Sequence, residues 1–501
     1  MQEEMVGQVA VDGPAVWAFL GYLIVMVVIG AYSVRFSSAG IGNFFVGGRR
    51  MNRLVVALSA VVSGRSAWLL LGVTGMAYTM GASALWAVVG YTVVEFFLFF
   101  FFAGRLRRFS ARYDCITLPD FFAARFGDED GHLRMVLAGV LLIFMTSYVS
   151  AQFVGGGKAI GASFGLSSEA GILLTALIVL VYTAVGGFLA VSLTDTIQGI
   201  FMIVALLVLP ALAIQGSGGW GEVALELRAY EATFVDPLAL GLGAFLGLVG
   251  IGLGSPGNPH ILVRYISIGD PGQLRWAAYV ATFWNAAMGA GAVLVALAGR
   301  IYFPEVDLLP ESDTENLYPM LAQELLHPVL FGMVVASIFA AIMSTADSQL
   351  LVAASSVVRD VYEKVFRKGE VIPQGRLVAL SRGMVLVLVV AALTLGLMAE
   401  ELVFWLVLFA WAGLGAALGP TAILALYWRG TTRAGIIAGV ITGTATTIVW
   451  YLTPVLRDFL YELIPAFLLA AVVTWWVSLK TRPPQDVEER FRSMEEAPGE
   501  S

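Results

Sequence analysis

Four oxygen-bearing side chains lie within five residues of one another in a stretch that is otherwise apolar. Ser344, Thr345, Asp347 and Ser348 offer three hydroxyls and one carboxylate, and Ser344 and Ser348 share a helix face because they are four residues apart. Small hard cations bind oxygen ligands of this kind, often together with carbonyls from unwound backbone. A bare Ser-Thr pair would more simply bond back to its own helix. The carboxylate beside it favours a cation site or a proton relay.

Three further ionisable residues, Arg65, Glu95 and Asp195, interrupt long apolar stretches. If those stretches cross a membrane, each such residue points to a functional site, and an unpaired arginine there costs at least ~3 kcal/mol. Three roles for Arg65 remain open at this point. It binds a carboxylate of a solute, it pairs with Glu95, Asp195 or Asp347, or it replaces a metal ion as a tethered cation.

The composition requires a membrane as solvent. Of 501 residues, 59% are hydrophobic and 13% are charged, against roughly 25% charged in soluble domains, and the mean hydropathy is +0.84. Soluble cores stop growing near roughly 250–300 residues, so this much apolar surface excludes a soluble enzyme and a nucleic-acid binder. The single cysteine, Cys115, excludes a domain built on disulfides.

Thirteen membrane-spanning helices are predicted, because a span needs about 20 mostly apolar residues. They lie near 14–35, 52–81, 83–104, 133–161, 168–187, 189–215, 236–254, 274–302, 328–358, 376–398, 402–427, 433–453 and 459–480. With the N-terminus outside and the C-terminus in the cytoplasm, 24 of the 29 lysines and arginines fall on the inner side. The acidic loop 303–327 is then outside, and it is predicted to be solvated, with a short helix around 316–326.

Two spans carry Gly/Ser/Pro interruptions at matching positions. The second reads Ser63-Gly64-Arg65-Ser66, and the seventh runs from Gly252 to His260 before an apolar continuation. Five spans separate the two breaks, so each opens a five-helix unit and the second unit is inverted, which is typical of transporter sites. The predicted organisation is an outside N-terminus 1–13, a peripheral helix 14–35, repeats 52–215 and 236–427, two peripheral helices 433–480, and a disordered cytoplasmic tail 481–501.

Several segments resemble the sodium/solute symporter family, closest to its sodium/proline symporter branch. They include Leu118-Pro119-Asp120, Thr194-Asp195, Gly257-Asn258-Pro259-His260 and Met343-Ser344-Thr345. The resemblance covers most of the chain. It implies an all-α polytopic membrane protein of about 13 transmembrane helices with a leucine-transporter-type 5+5 inverted repeat, in a bacterial inner membrane.

The resemblance also implies where sodium binds. The ligands of the first ion are backbone carbonyls and two hydroxyls, at Val62, Arg65, Ala341, Ser344 and Thr345. Some members of the family hold a second sodium, and the matching positions are Asp195, Ser344, Asp347 and Ser348.

The solute region departs from the proline branch. The second span of that branch reads Ser-Asp-Met-Ser-Gly-Trp, so here an aspartate is lost and Arg65 replaces methionine. Ile251 and Ser255 stand where that branch has Trp and Tyr. The sequence therefore predicts that a proline pocket of stacked aromatic rings is dismantled. The predicted solute-binding residues are Arg65, Ser66, Trp68, Glu95, Tyr148, Ser255 and Asn258, for an amino-acid-like or carboxylate-bearing solute other than proline.

The predicted function is sodium-coupled uptake of a small organic solute by alternating access. The alternative is a sodium-independent exchanger or uniporter in which Arg65 acts as a tethered cation. No His or Cys lies near an acid within the spans, so an enzyme is not predicted. The expected partners are the solute and the lipid bilayer, with no nucleic acid and no obligate protein partner evident.

Overall fold

The computed structural model describes residues 13–37, 40–399 and 402–495, and its regular elements there are helices. The first ten are α1 Gly13–Ser37, α2 Ile41–Val46, α3 Arg53–Ser63, α4 Thr74–Met80, α5 Leu85–Phe97, α6 Ala103–Arg112, α7 Leu118–Phe126, α8 His132–Phe164, α9 Ser168–Gly216 and α10 Trp220–Tyr230. The others are α11 Leu242–Gly250, α12 Pro259–Ser267, α13 Leu274–Tyr302, α14 Leu317–Leu325, α15 Pro328–Ser355, α16 Gln374–Leu397, α17 Val403–Tyr427, α18 Arg433–Tyr451, α19 Pro454–Phe459, α20 Leu463–Lys480 and α21 Val487–Glu495.

Tighter and wider helical turns connect several of these helices. The π-helical turns are Trp68–Val73, Leu98–Phe102 and Ser356–Phe366. The 3₁₀ turns are Gly47–Arg49, Gly81–Ala84, Ile251–Gly257, Pro271–Gln273, Val306–Leu308, Pro310–Ser312 and Thr314–Asn316.

Ten helices among the described residues are long and apolar enough to cross a membrane. One of them, Trp68–Arg112, has 45 residues and turns at Gly81, where φ is 66°. It therefore contains the second half of the second predicted span and all of the third. Three shorter apolar helices, Arg53–Ser63, Ser168–Thr183 and Leu242–Gly257, coincide with the remaining parts of the second, fifth and seventh predicted spans. The all-helical membrane architecture is thereby confirmed.

Helix α9 is a hairpin, although its helical backbone continues over 49 residues. Gly187 adopts φ 64° and ψ −177°, a conformation that glycine reaches without a steric cost. The hydroxyls of Tyr182 and Thr194 are hydrogen-bonded to each other. In a straight helix these residues would lie about 18 Å apart along the axis, so the chain reverses at Gly187. The two arms are the predicted fifth and sixth spans.

Both predicted interruptions are confirmed. Helix α3 ends at Ser63, Ser66 has φ 44°, and regular turns resume at Trp68. In the second break, the 3₁₀ turn Ile251–Gly257 follows α11, and extended backbone at Asn258 leads into α12. Backbone freed inside a membrane needs partners. Gln152 on α8 meets one such need, because its Oε1 accepts the Ala67 N–H at 2.9 Å.

A pair of backbone hydrogen bonds joins the start of α3 to the end of α12. The Met51 amide donates to the Ser267 carbonyl at 3.1 Å, and the Gly269 amide donates to the Met51 carbonyl at 2.9 Å. The two broken helices are therefore tied to each other at one end.

The loop 303–327 is only partly as predicted. Helix α14 lies where a short helix is expected, but the prediction of a plain solvated loop is wrong for Glu315, which is buried. Its carboxylate accepts the Val403 and Phe404 amides at 2.9 and 2.8 Å, which caps the N-terminus of α17, and it pairs with Lys158 Nζ at 2.6 Å. Burial raises the pKa of Glu315, and Lys158 offsets part of that rise.

The predicted disorder of the tail is wrong for residues 487–495, which form α21. Phe491 and Met494 are buried, Arg105 pairs with Glu495 at 2.9 Å, and Arg108 Nε donates to the Met494 carbonyl at 2.7 Å. The tail helix therefore packs on α6. Residues 496–501 and all of the predicted outside N-terminus except Gly13 lie outside the described residues.

Candidate functional site

The hydroxyls of α15 meet the carbonyls of the first break. Ser344 Oγ donates to the Ala341 carbonyl at 3.1 Å and reaches the Val62 carbonyl at 3.5 Å, while Thr345 Oγ1 donates to the Ser63 carbonyl at 3.0 Å. All five residues are buried. The sequence could not show that these two elements meet, and the structure brings them together.

This arrangement suits a small hard cation. Each hydroxyl now donates to a carbonyl, but it carries two acceptor lone pairs and its proton can rotate away. The Arg65 carbonyl accepts the Leu69 amide at 3.0 Å and keeps a second lone pair. Hydroxyl and carbonyl oxygens without a carboxylate would hold a monovalent cation without adding a negative charge of their own.

The Arg65 side chain points to α5 and α13. Its guanidinium pairs with Glu95, its Nε donates to Asn285 Oδ1 at 2.9 Å, and it lies 3.7 Å from the centroid of the Tyr91 ring. Of the three roles left open by the sequence, the structure shows pairing with Glu95.

Glu95 links both breaks to α13. Besides Arg65 of the first break, its carboxylate accepts Ser255 Oγ of the second break at 3.1 Å and Asn285 Nδ2 at 2.7 Å. The ion pair is therefore well satisfied and electrically neutral. Asn285 was missed in the sequence, where the available signal was an amide in the middle of an apolar helix.

A small cavity of about 10 Å³ lies beside this network. Trp68, Tyr148 and Trp411 give it three aromatic walls, and Ile251 and Leu408 complete its outer end. Trp411 Nε1 donates to the Ile251 carbonyl at 2.8 Å, which fixes the indole against the second break. The expectation of a dismantled aromatic pocket missed Trp411, which stands on a distant helix, α17.

A much larger cavity of about 360 Å³ lies next to it on the side of the 303–327 loop. The two cavities share Ile251 and Leu408. At their junction, Phe404 stacks on Trp68 with ring centroids 5.9 Å apart and an interplanar angle of 20°. This stack and the two shared aliphatic residues separate the two cavities. We call the small one the inner cavity and the large one the outer cavity.

Unpartnered polar atoms mark the surroundings of the inner cavity. Trp68 Nε1 and Asn258 Oδ1 are buried and have no hydrogen-bond partner in the described part of the chain. Asn258 Nδ2 donates to the Gly254 carbonyl at 2.8 Å, and Ser66 Oγ accepts the Trp68 amide at 3.1 Å. Trp68 lines the small cavity, so its free Nε1 donor fits a solute that carries an acceptor, whereas Asn258 belongs to the second break and does not line it.

A second cluster of oxygens surrounds Asp195. Its Oδ2 accepts Ser59 Oγ at 2.6 Å and Ser63 Oγ at 3.2 Å, and Arg264 Nη2 lies 3.1 Å away. Ser348 Oγ bonds to Asp347 Oδ1 at 3.1 Å and accepts Arg264 Nη2 at 2.5 Å. The predicted second-ion residues Asp195, Asp347 and Ser348 are thus brought together.

Arg264 is a correction to the sequence analysis. The charge pattern counts it among the inner-side basic residues, but it is fully buried on α12. Its side chain crosses to α3, α9 and α15, which lie far from it in sequence. Ser59 and Ser63 were also missed as members of this cluster, because single serines in an apolar helix carry no periodic signal.

Comparison with known proteins identifies the group to which these features belong. The profile of the Sodium:solute symporter family matches residues 44–443. The chain belongs to this family. A sodium/proline symporter of Staphylococcus aureus strain JH9 is 37% identical over 475 residues, which cover 92% of each chain, and that of strain NCTC 8325 has the same identity and coverage.

Solved structures show the same fold at low identity. A Na⁺-coupled sialic acid symporter in an outward-open state is 16% identical with a TM-score of 0.78, over 94% of this chain and 99% of its own. Mhp1, a nucleobase-cation-symport-1 family transporter, is 14% identical with a TM-score of 0.54, over 90% and 98%. The sodium/solute symporter described here therefore has a leucine-transporter-type fold. It is a membrane transporter rather than an enzyme, and sodium is its coupling ion.

Proposed function

We propose that this symporter couples inward sodium movement to uptake of a small amino-acid-like solute by alternating access. The observation that carries the proposal is the meeting of the α15 hydroxyls with the carbonyls of the first break, next to an aromatic-walled cavity. In this proposal the chain crosses the membrane thirteen times, in two inverted five-helix repeats with peripheral helices. The N-terminus is outside, and the membrane is the bacterial inner membrane.

Sodium would bind the carbonyls of Val62, Arg65 and Ala341 and the hydroxyls of Ser344 and Thr345. An ion there bridges the break after α3 to α15 and fixes the backbone that leads to Ser66 and Trp68 at the inner cavity. Because the two sites share this backbone, sodium binding raises solute affinity, and by linkage the solute raises sodium affinity equally.

The solute is proposed to be neutral overall. Arg65 is matched by Glu95, so the network beside the inner cavity offers no free positive charge to an anion. Three aromatic walls and the free Trp68 Nε1 donor suit an amino-acid-like zwitterion, and the cavity of about 10 Å³, the room of roughly one water molecule, has to widen to admit it. The relatives are named for proline, whereas the changes at Ile251 and Ser255 predict a different amino-acid-like solute. Proline is therefore the reference compound against which other amino acids are compared.

The tethered-cation alternative loses its support at Arg65. It requires the guanidinium at Ser344 and Thr345, but Arg65 binds Glu95 and Asn285 instead. This geometry favours sodium coupling over sodium-independent exchange.

The test is uptake of a panel of radiolabelled amino acids, L-proline included, into proteoliposomes under sodium or potassium gradients. We expect uptake of the solute to require sodium. Thr345→Ala should lower the sodium affinity by roughly tenfold or more, which is equivalent to about 1.4 kcal/mol of binding free energy. Thr474→Ala is the matched control, since Thr474 is buried but bonds only to its own helix at Ala470.

Two outcomes separate the parts of the proposal. Measurable uptake of an amino acid that is equal in potassium and sodium would refute sodium coupling. If sodium stabilises the purified protein but none of the amino acids is transported, sodium binding stands and the solute class is wrong.

A further inference from the structure

The oxygens around Asp195 already hold a cation that belongs to the chain. We call Ser59, Ser63, Asp195, Asp347 and Ser348 the Asp195 cluster. Its side chains come from α3, α9 and α15, and all are buried. Hydroxyl and carboxylate oxygens converging in this way are what a small cation requires. The Arg264 guanidinium lies among them.

The guanidinium and a metal ion would compete for the same space. Arg264 Nη2 lies 2.5 Å from Ser348 Oγ and 3.1 Å from Asp195 Oδ2. A small cation bound to both oxygens would lie roughly 2.4 Å from each. A guanidinium nitrogen already binds both oxygens, so a metal ion would have to compete with it for them.

We propose that Arg264 is a tethered cation that fills the Asp195 cluster, so that this symporter binds a single sodium per transport cycle. The proposal rests on the proposed sodium coupling at Ser344 and Thr345. It reassigns Asp195, Asp347 and Ser348 from ligands of a second sodium to the counter-charge of Arg264 and of the first sodium.

The charges support one ion rather than two. With both carboxyls ionised, Asp195 and Asp347 contribute two negative charges and Arg264 one positive charge, so the net charge of the cluster is −1. The first site is one helical turn away, since Ser348 Oγ donates to the Ser344 carbonyl at 2.7 Å. One sodium there brings the total to zero, whereas two would leave an uncompensated positive charge inside the membrane.

Arg264 has little freedom to leave. Its Nε donates to Ser59 Oγ at 3.0 Å, its Nη1 donates to the His260 carbonyl at 2.5 Å, and it lies 5.2 Å from the Phe188 ring. The cavity beside it measures about 20 Å³, roughly enough for one water molecule. A guanidinium does not deprotonate in proteins, so the charge stays in place throughout the cycle.

Equilibrium binding of ²²Na⁺ to the purified full-length protein tests the proposal without any solute. We expect one sodium per chain for the wild type and two for Arg264→Gln, in which Asp195 loses its ion-pair partner and the space beside Ser348 is free. Arg264→Lys keeps a charge and should stay at one. Arg482→Gln, at an exposed arginine, is the control and should also stay at one.

Two sodium ions per wild-type chain would overturn the proposal, and this holds even if Arg264→Gln fails to fold. A ratio of one in both wild type and Arg264→Gln would also overturn it, because Arg264 would then not be what excludes the second ion. No binding to the wild type with one ion bound to Arg264→Gln would refute the proposed first site while leaving the role of Arg264 supported. No binding to either protein would refute both.

Discussion

Arg65 and Arg264 belong to the two broken helices, and each faces a carboxylate of another helix. Arg65 lies in the first break and pairs with Glu95 on α5, while Arg264 follows the second break and pairs with Asp195 on α9. Removing one partner of a buried pair leaves an uncompensated charge, which costs far more than the pair itself contributes. The two pairs differ in net charge. The charges of Glu95 and Arg65 sum to zero, whereas the Asp195 cluster keeps a net negative charge.

The cost of leaving one buried partner unpaired gives a double-mutant prediction at Arg65. Arg65→Met should lower the free energy of unfolding by about 3–5 kcal/mol, because Glu95 remains buried and unpaired. Arg65→Met combined with Glu95→Gln should recover most of that loss, since the amide can still bond to Asn285 and Ser255. Thermal unfolding of the purified variants measures both effects, with exposed Arg482→Met as control.

An equal loss in the single and double variants would contradict the assignment of Arg65 to Glu95. A loss of sodium dependence in the double variant with stability retained would mean that Arg65 acts on the ion site as well.

At the scale of elements, the breaks could be predicted and their partners could not. Gly64, Gly257 and Pro259 disturb helix geometry locally, so the sequence places the interruptions without any tertiary information. The partners Gln152 and Asn285 are single polar residues on distant helices. Nothing in the local pattern says which break they face, and only packing of the whole bundle decides it.

The capping of α17 by Glu315 is another contact of this kind, and it yields a pH-dependent prediction. The folded-state pKa of Glu315 is raised by burial, so the folded state binds a proton more tightly than the unfolded chain and stability falls as pH rises through that pKa. Lys158→Met removes the offsetting charge and should extend this fall to higher pH. The variant should therefore lose more stability relative to wild type near about pH 8 than near about pH 5.

Melting temperatures at the two pH values measure the effect. Adding Glu315→Gln to Lys158→Met should abolish the extra pH dependence. If the single and double variants show the same pH profile, Glu315 is not the group responsible.

At the scale of the whole molecule, the cavities are unequal. About 360 Å³ opens beside the 303–327 loop, against about 20 Å³ beside Arg264 and Thr117 on the other side of the breaks. With the predicted orientation, this is a form accessible from outside and closed towards the cytoplasm.

Cysteine accessibility tests that orientation. The only cysteine can be removed as Cys115→Ser, and a single cysteine is then introduced as Thr79→Cys, which lines the large cavity, or as Phe366→Cys, which is exposed at the opposite end. In intact cells a membrane-impermeant maleimide should label Thr79→Cys and reach Phe366→Cys only after permeabilisation. The reverse pattern would invert the topology.

The tail helix α21 is expected to stabilise the face of the molecule opposite the large cavity. The Phe491 ring lies 5.6 Å from the Arg105 and Arg125 guanidinium carbons and 5.1 Å from that of Arg429. Phe491→Ala should weaken docking of α21 by about 2–3 kcal/mol, somewhat less than for a fully enclosed phenylalanine. Hydrogen exchange over residues 487–495 should accelerate accordingly, whereas Phe366→Ala, at an exposed phenylalanine, should leave it unchanged.

The tie between Met51, Ser267 and Gly269 consists entirely of main-chain atoms. An alanine scan would leave both hydrogen bonds intact, so any loss it found at the buried Met51 or Ser267 would report side-chain packing and not this tie. Proline is the substitution that removes the donor, at Met51 or at Gly269. The coupling between the two broken helices at this end is therefore hidden from conventional mutagenesis, and only substitutions that remove a main-chain donor expose it.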